Sequence, residues 1–225
     1  MSAKVQIRRL TVVSYSRNLN LLSAALLFAG VAFSQPNVTV DSPYQVRYAS
    51  NLNVGDAFID ITNSGARGAG LASGTSAATT GAICANVYAF SPDEQMIACC
   101  SCPVTPNGLV SLSAKNDLIS NPLTPAIPTS IVIKLYASVP VGGSCANSAA
   151  SPGAATSGML AWGTTLHAAV TAGTYFGSET PFLPATLSAG ELSRLTNLCT
   201  FILANGSGFG VCRSCRLGGL GAANK

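Results

Sequence analysis

Charged side chains are scarce in this chain, at 9% of its 225 residues, whereas ordinary soluble domains carry roughly 25%. The formal net charge of +4 comes entirely from four cations near the start, Lys4, Arg8, Arg9 and Arg17. From Gln35 onward, eight basic residues face eight acidic ones. This balance gives no electrostatic basis for binding nucleic acid, and it favours self-association or contact with other surface proteins.

Histidine is almost absent, since His167 is the only one in the chain. A hydrolytic triad requires an oriented histidine beside a nucleophile, and no GxSxG elbow identifies such a nucleophile. We therefore predict a structural or surface role for His167, and a hydrolase that uses His167 is the competing interpretation.

Two ligand-binding motifs are incomplete. Residues 206–210 are rich in glycine, but they follow a predicted helix and lack the Lys-Ser/Thr pair of a phosphate loop. Asp56, Asp60 and Asn63 lack the dense spacing of oxygen ligands in a calcium loop. The sequence assigns no catalytic, cofactor-binding or metal-binding residue, and it favours a non-enzymatic role.

Long apolar runs are also missing. The best candidate, residues 21–32, is shorter than the roughly 20 residues that span a membrane as a helix. It follows the basic residues and precedes Ala32-Phe33-Ser34, whose small residues suit a signal peptidase. We predict a signal peptide over residues 1–34 and no transmembrane helix after its cleavage. The alternatives are an amphipathic or buried first helix and an uncleaved anchor.

Cysteine is abundant by comparison, and all eight cysteines follow the predicted leader. In an exported protein an even number of cysteines indicates a disulfide framework, whereas in the cytosol it indicates metal binding or catalysis. We predict up to four disulfides and a secreted, periplasmic or cell-surface location. The disulfide candidates are Cys84, Cys99, Cys100, Cys102, Cys145, Cys199, Cys212 and Cys215.

Residues 35–225 are predicted to form one mainly β domain, an antiparallel sandwich or barrel-like fold with one helix near the C-terminus. Short apolar or alternating runs separated by proline and glycine are typical of such folds. Residues 63–81 and 142–158 are rich in small residues and predict long loops. The predicted strands cover residues 57–62, 83–90, 96–102, 109–113, 129–139 and 159–166.

The predicted helix begins with a capping box, in which Ser188 caps the amide of Glu191 and Glu191 reaches back. Asn205-Gly206 ends it. Because Cys199 lies on its apolar face, a disulfide there would attach the helix to the sheet. The residues of that face are Leu192, Leu195, Leu198, Cys199 and Ile202.

The hairpin around residues 91–95 suggests a first disulfide. If Phe90 faces Met96, Cys84 lies opposite Cys102 at a separation that a disulfide can bridge. Cys99 and Cys100 point to opposite faces of their strand and should have different partners, such as Cys199, Cys145 or the C-terminal pair. Sequence alone cannot choose among the 105 possible pairings of eight cysteines.

The same cysteines permit two other interpretations. Cys99, Cys100 and Cys102 with Cys212 and Cys215 offer enough thiolates for zinc or an iron–sulfur cluster. Alternatively, Cys212 and Cys215 form a CxxC redox motif, whose flanking arginines favour a thiolate. We keep an exported thiol–disulfide or metal-binding protein as the alternative function.

Two segments resemble parts of uncharacterised secreted bacterial proteins with a CCxC…CxxC cysteine pattern. They are NVYAFSPDEQMIACCSCPVTPNGLVSL, residues 86–112, and SGFGVCRSCRLGGLG, residues 207–221. The resemblance implies export and transfers no catalytic residue. Taken with the charge balance and the cysteines, it leads us to expect a secreted structural, adhesive or surface-assembly protein.

Overall fold

The computed structural model of the protein describes residues 41–70, 80–122, 125–145, 149–213 and 215–217. The predicted signal peptide lies outside these residues. The described chain contains ten strands, one α-helix and a five-residue π-helical turn, Ala114–Leu118. The elements are β1 (Tyr44–Ala49), β2 (Phe58–Asn63), β3 (Ile83–Phe90), β4 (Met96–Val104), β5 (Leu109–Ser113), β6 (Ile131–Ser138), β7 (Met159–Ala168), β8 (Tyr175–Pro181), β9 (Leu183–Pro184), α1 (Ala189–Ala204) and β10 (Arg216–Leu217).

The strands form two antiparallel sheets that pack as a sandwich. Sheet 1 has the order β4-β3-β6-β1-β9, and sheet 2 has the order β10-β5-β2-β7-β8. Apolar side chains of both sheets fill the space between them, as the alternation of residues along each strand requires. Examples are Ile59 and Ile61 of β2 with Val87 of β3 and Ile133 of β6. The predicted mainly β fold with one helix near the C-terminus is confirmed.

A second apolar cluster lies on the outer face of sheet 1, where α1 packs. Tyr88 and Tyr136 of the sheet contact the same cluster as Leu195 and Ile202 of the helix. Every residue of β3 is buried, because core side chains cover one face, and α1 together with Cys145 and Ala149 covers the other. This explains why β3 reads as a continuous apolar run rather than an alternating one.

The start of α1 follows its local sequence. The Ser188 hydroxyl accepts a hydrogen bond from the amide of Glu191, as the capping box predicts. The predicted return contact from Glu191 to Ser188 is wrong, because the Glu191 carboxylate forms an ion pair with Lys134 of β6 instead. The cap therefore begins the helix, and the carboxylate links it to the sheet.

The β3–β4 hairpin contains a bulge that changes its register. Phe90 faces Met96 as predicted, but the next pair is Ala89 with Ala98, so Ile97 has no partner opposite it. The bulge shifts every later pair by one position. Cys84 consequently lies opposite Pro103, and Cys102 lies opposite Ala85.

Candidate functional site

All eight cysteines form disulfides, and none is free. The bonds are Cys84–Cys145, Cys99–Cys199, Cys100–Cys212 and Cys102–Cys215. The prediction of a four-disulfide framework is confirmed. Four disulfides are typical of proteins from an oxidising compartment.

The predicted Cys84–Cys102 disulfide is wrong, and the bulge in the hairpin is the physical reason. Because the register is shifted, Cys84 no longer faces Cys102 across the strand pair. Cys84 instead bonds to Cys145, which attaches the 142–158 loop to β3. Cys102 bonds to Cys215 near the C-terminus.

Each of the remaining three disulfides joins a cysteine of β4 to a residue later in the chain. Cys99 points to the outer face and bonds to Cys199 of α1, whereas Cys100 bonds to Cys212. The prediction that neighbouring cysteines have different partners is confirmed, because adjacent residues of a strand point to opposite faces. Cys199 attaches the helix to the sheet, also as predicted.

Residues 210–213 and 215–217, which we call the C-terminal strap, contact β4 and β5. The Cys99 amide donates to the carbonyl of Gly210 at 2.8 Å, so the strap pairs with the edge of β4. The strap then forms β10, which pairs with β5 of sheet 2. Through these contacts and two disulfides, the strap joins the edges of both sheets.

Cys212 and Cys215 do not bond to each other, because each bonds to a cysteine of β4. The Sγ atoms of Cys100, Cys102 and Cys215 nevertheless lie within 4.8 Å of one another. Cys100 and Cys215 line a cavity of about 310 Å³. In the disulfide state these sulfurs are not thiolates, which are the form that binds zinc or attacks a disulfide.

His167 lies on β7, against the neighbouring strand β8. Its ring stacks on Phe176 with 5.1 Å between centroids, and its Nε2 atom lies 2.9 Å from the Ser178 hydroxyl. Among the described residues, no carboxylate forms a hydrogen bond or ion pair with the imidazole. The pair therefore lacks the acid that orients a catalytic histidine in a triad.

The three residues considered for calcium do not converge on one point. The Asp56 carboxylate accepts hydrogen bonds from the Ser113 hydroxyl and the Lys115 amide, which hold the π-helical turn. Asn63 uses its side-chain amide to donate to the carbonyls of Gly81 and Val104. Asp60 lies in the middle of β2, opposite Ser111 and Trp162 on the neighbouring strands. Asp56 and Asn63 thus stabilise turns and loops.

The glycine-rich residues 206–210 form the turn between α1 and the C-terminal strap. Gly206, Gly208 and Gly210 all have positive φ, which other residues rarely adopt. The Gly210 amide donates to the Asn121 carbonyl. The prediction that this segment ends the helix and turns the chain, rather than binding phosphate, agrees with these contacts.

A buried arginine forms a second candidate site, which the sequence analysis missed. Arg47 of β1 points between the sheets, with 8% of its surface exposed. Its Nη2 donates to the hydroxyls of Thr165 and Thr180 at 3.0 and 3.2 Å, and its Nη1 donates to the Thr164 carbonyl at 3.3 Å. Burial lowers the pKa of Arg47 from its ordinary value.

Arg47 is the charged residue of a cavity of about 430 Å³ between β1 and the β8–β9 connection. Gly163 of β7 makes room for the guanidinium, because a Cβ atom there would lie 2.3 Å from Nη1. The sequence signal is present in YQVRYA, where alternation places the arginine on the inner face of the strand. The cavity is lined by Val46, Arg47, Tyr48, Thr180, Pro181, Leu183, Pro184 and Ala185.

Strand β8 also went unpredicted, and it forms a free edge of sheet 2. Within the described part of the chain, it pairs with β7 alone. All of its residues except Ser178 are exposed, and Tyr175 and Phe176 show 54% and 56% of their surfaces. The strand thus presents aromatic side chains beside an unpaired backbone.

Comparison with known protein families, curated proteins and solved structures finds no match to this chain. No helix within the described part of the chain is long and apolar enough to cross a membrane.

Proposed function

We propose that this protein is a secreted structural component of a cell surface or extracellular layer, and that it assembles through the free edge of β8. The exposed aromatic edge is the observation that carries the proposal. The four disulfides support the location, because such bonds persist in oxidising compartments.

A free strand edge is a template for pairing with another chain, and soluble proteins usually protect it with lysine, proline or a covering segment. The first four residues of β8, Tyr-Phe-Gly-Ser, contain neither charge nor proline. Glu179 and Pro181 lie only towards its end. This part of the edge therefore has little protection against pairing.

The other edge strands formed by the described residues differ from β8. The C-terminal strap pairs with β4, and β9 and β10 contain two residues each. Since β8 has seven residues, it offers the longest unpaired edge of the sandwich. A second copy that pairs there would extend sheet 2 and bury the exposed aromatic rings.

The proposal predicts concentration-dependent association of the purified, oxidised protein. Phe176→Lys should abolish it, because a lysine on a strand edge opposes pairing. Phe201→Lys is the matched control, since Phe201 is 63% exposed but lies on α1. Sedimentation velocity over a wide concentration range measures the outcome.

A monomer at all concentrations would contradict the assembly role. Equal effects of Phe176→Lys and Phe201→Lys would contradict the assignment of the interface to β8. Circular dichroism of both variants verifies that the sandwich remains folded.

One observation favours the alternative, an exported thiol–disulfide protein. The Sγ atoms of Cys100, Cys102 and Cys215 are close enough for exchange between neighbouring bonds after small movements. An external dithiol would reduce Cys100–Cys212, and the Cys100 thiolate would then attack Cys215, form Cys100–Cys215 and release the Cys102 thiolate. Insulin-reduction activity that is lost in Cys215→Ser supports this function, and no activity in either protein removes it.

A further inference from the structure

We propose that the cavity at Arg47 binds the carboxylate of a ligand that has an apolar body. This site goes beyond the proposed assembly role, because it lies between β1 and the β8–β9 connection and does not use the free backbone of β8. We call it the Arg47 cavity.

The buried charge of Arg47 is the first reason to expect an anionic ligand. The guanidinium is buried, and its hydrogen-bond partners among the described residues are two hydroxyls and one carbonyl, all uncharged. The ion pair that the described residues form elsewhere joins Lys134 and Glu191. Buried charges in proteins are normally paired with an opposite charge, because burial without one is costly. An anion in the cavity would supply that charge.

A free hydroxyl donor beside Arg47 is the second reason for the proposal. The Thr180 hydroxyl accepts from Nε and Nη2, which leaves its own O–H available to donate. Thr180 lines the cavity, so its O–H can donate to a carboxylate oxygen there, beside the positive charge of Arg47.

The cavity itself indicates the rest of the ligand. Its volume of about 430 Å³ falls within the range of small-molecule sites. Val46, Pro181, Leu183 and Pro184 give it apolar walls, and Leu183 is 66% exposed. A single cation matches a monoanion better than a phosphate dianion. The shared chemistry is a carboxylate on an apolar body, either an aliphatic acid or the C-terminus of an apolar peptide.

The experiment uses the full oxidised protein and four probes. Octanoate is compared with octanamide, and acetyl-Val-Leu-Ala with a free carboxyl is compared with its C-terminal amide. Isothermal titration gives each affinity, and the ¹⁵N–¹H signal of the Arg47 Nε group reports the location. At least one carboxylate should bind about tenfold or more tightly than its amide, as expected for a charge-assisted contact. The carboxylate that binds more tightly shows whether the natural ligand is an aliphatic acid or a peptide C-terminus.

Three variants test the residues. Arg47→Met keeps an apolar side chain of similar length and should abolish the preference for carboxylate over amide. Thr180→Val keeps the shape of threonine and should weaken carboxylate binding about tenfold through loss of one charge-assisted hydrogen bond. Arg67→Met is the control, because Arg67 is exposed and donates to the Ala82 carbonyl. It should leave the affinity unchanged.

The proposal is overturned if neither carboxylate binds, if acid and amide bind equally, or if Arg47→Met retains the preference. If Arg47→Met does not fold, Thr180→Val decides the question, because an unchanged affinity in that variant also overturns the proposal. None of these results depends on association through β8, so the two proposals fail separately.

Discussion

Three tyrosine side chains between sheet 1 and α1 show how single residues set the stability of the protein. Burial raises the pKa of Tyr44 to about 12, with a smaller contribution from the charge of Glu191. Burial also raises the pKa values of Tyr88 and Tyr136. The Tyr88 hydroxyl donates to the Ala149 carbonyl at 2.8 Å, so the neutral form has a buried partner.

These shifts predict an alkaline loss of stability. Because the folded state holds the tyrosine protons more tightly, stability is fully present below the unfolded pKa of about 10. It falls as pH rises from there through about 12. We expect a loss on the order of 2 kcal/mol across this window, measured by denaturant unfolding at each pH.

Tyrosine variants test whether these three side chains cause the alkaline loss of stability. Tyr44→Phe should reduce the alkaline loss, because the substituted ring has no proton to lose, while Tyr88 and Tyr136 retain their shares. Tyr175→Phe is the control, since the Tyr175 ring is exposed on β8. A profile that Tyr44→Phe leaves unaltered would show that other groups cause the loss.

At the scale of the element, α1 depends on one cap and one disulfide. The Ser188 hydroxyl satisfies the Glu191 amide, and the Cys99–Cys199 bond attaches the middle of the helix to β4. The cap acts on the helix alone, whereas the disulfide acts on the contact between helix and sheet. Their removal should therefore have different consequences.

Loss of the cap should have a small effect. Ser188→Ala is expected to lower the free energy of unfolding by about 1 kcal/mol, the usual contribution of an N-cap serine. Ser193→Ala, further along the same helix, serves as the control and should change stability by less than about 0.5 kcal/mol. Chemical denaturation of the oxidised proteins measures both. Similar losses in the two variants would argue against a specific cap.

Loss of the disulfide should be larger. The double variant Cys99→Ala/Cys199→Ala removes a bond between residues 100 positions apart, and such bonds typically contribute about 2–4 kcal/mol. We expect a lower unfolding midpoint and faster hydrogen exchange in α1 than in β2. Unchanged exchange in α1 would mean that apolar packing alone holds the helix.

The elements that sequence predicts are those with strong local signals. Residues 83–90 and 109–113 coincide with β3 and β5, and the capping serine marks the start of α1. β1 was missed because polar Gln45 and Arg47 occupy its inner positions, and β8 because nearly all of it is exposed. The alternation of β1 thus places polar residues inside, and β8 shows no apolar alternation of the kind that marks a half-buried strand.

Contacts between residues that are distant in the sequence were harder to predict than the strands and the helix. The unpaired Ile97 shifts the hairpin by one residue, which was enough to replace Cys102 with Cys145 as the partner of Cys84. The Arg47 cavity depends on contacts with threonines more than 100 positions away. Local patterns carry no information about such contacts, whereas the opposite directions of Cys99 and Cys100 follow from strand geometry alone.

At the scale of the whole molecule, the disulfides join the parts of the sandwich that contact each other least through strand pairing. One bond attaches a loop to β3, one attaches α1 to β4, and two attach the C-terminal strap to β4. All four crosslink sheet 1 to segments that follow β6 in the chain. This arrangement requires that the protein matures where disulfides form and persist.

Disulfide mapping of the protein isolated from its native location tests this requirement most directly. Alkylation before reduction should label no cysteine, alkylation after reduction should label all eight, and the peptides should give Cys84–Cys145, Cys99–Cys199, Cys100–Cys212 and Cys102–Cys215. Free thiols at Cys100, Cys102, Cys212 and Cys215, or a metal bound by them, would contradict the account.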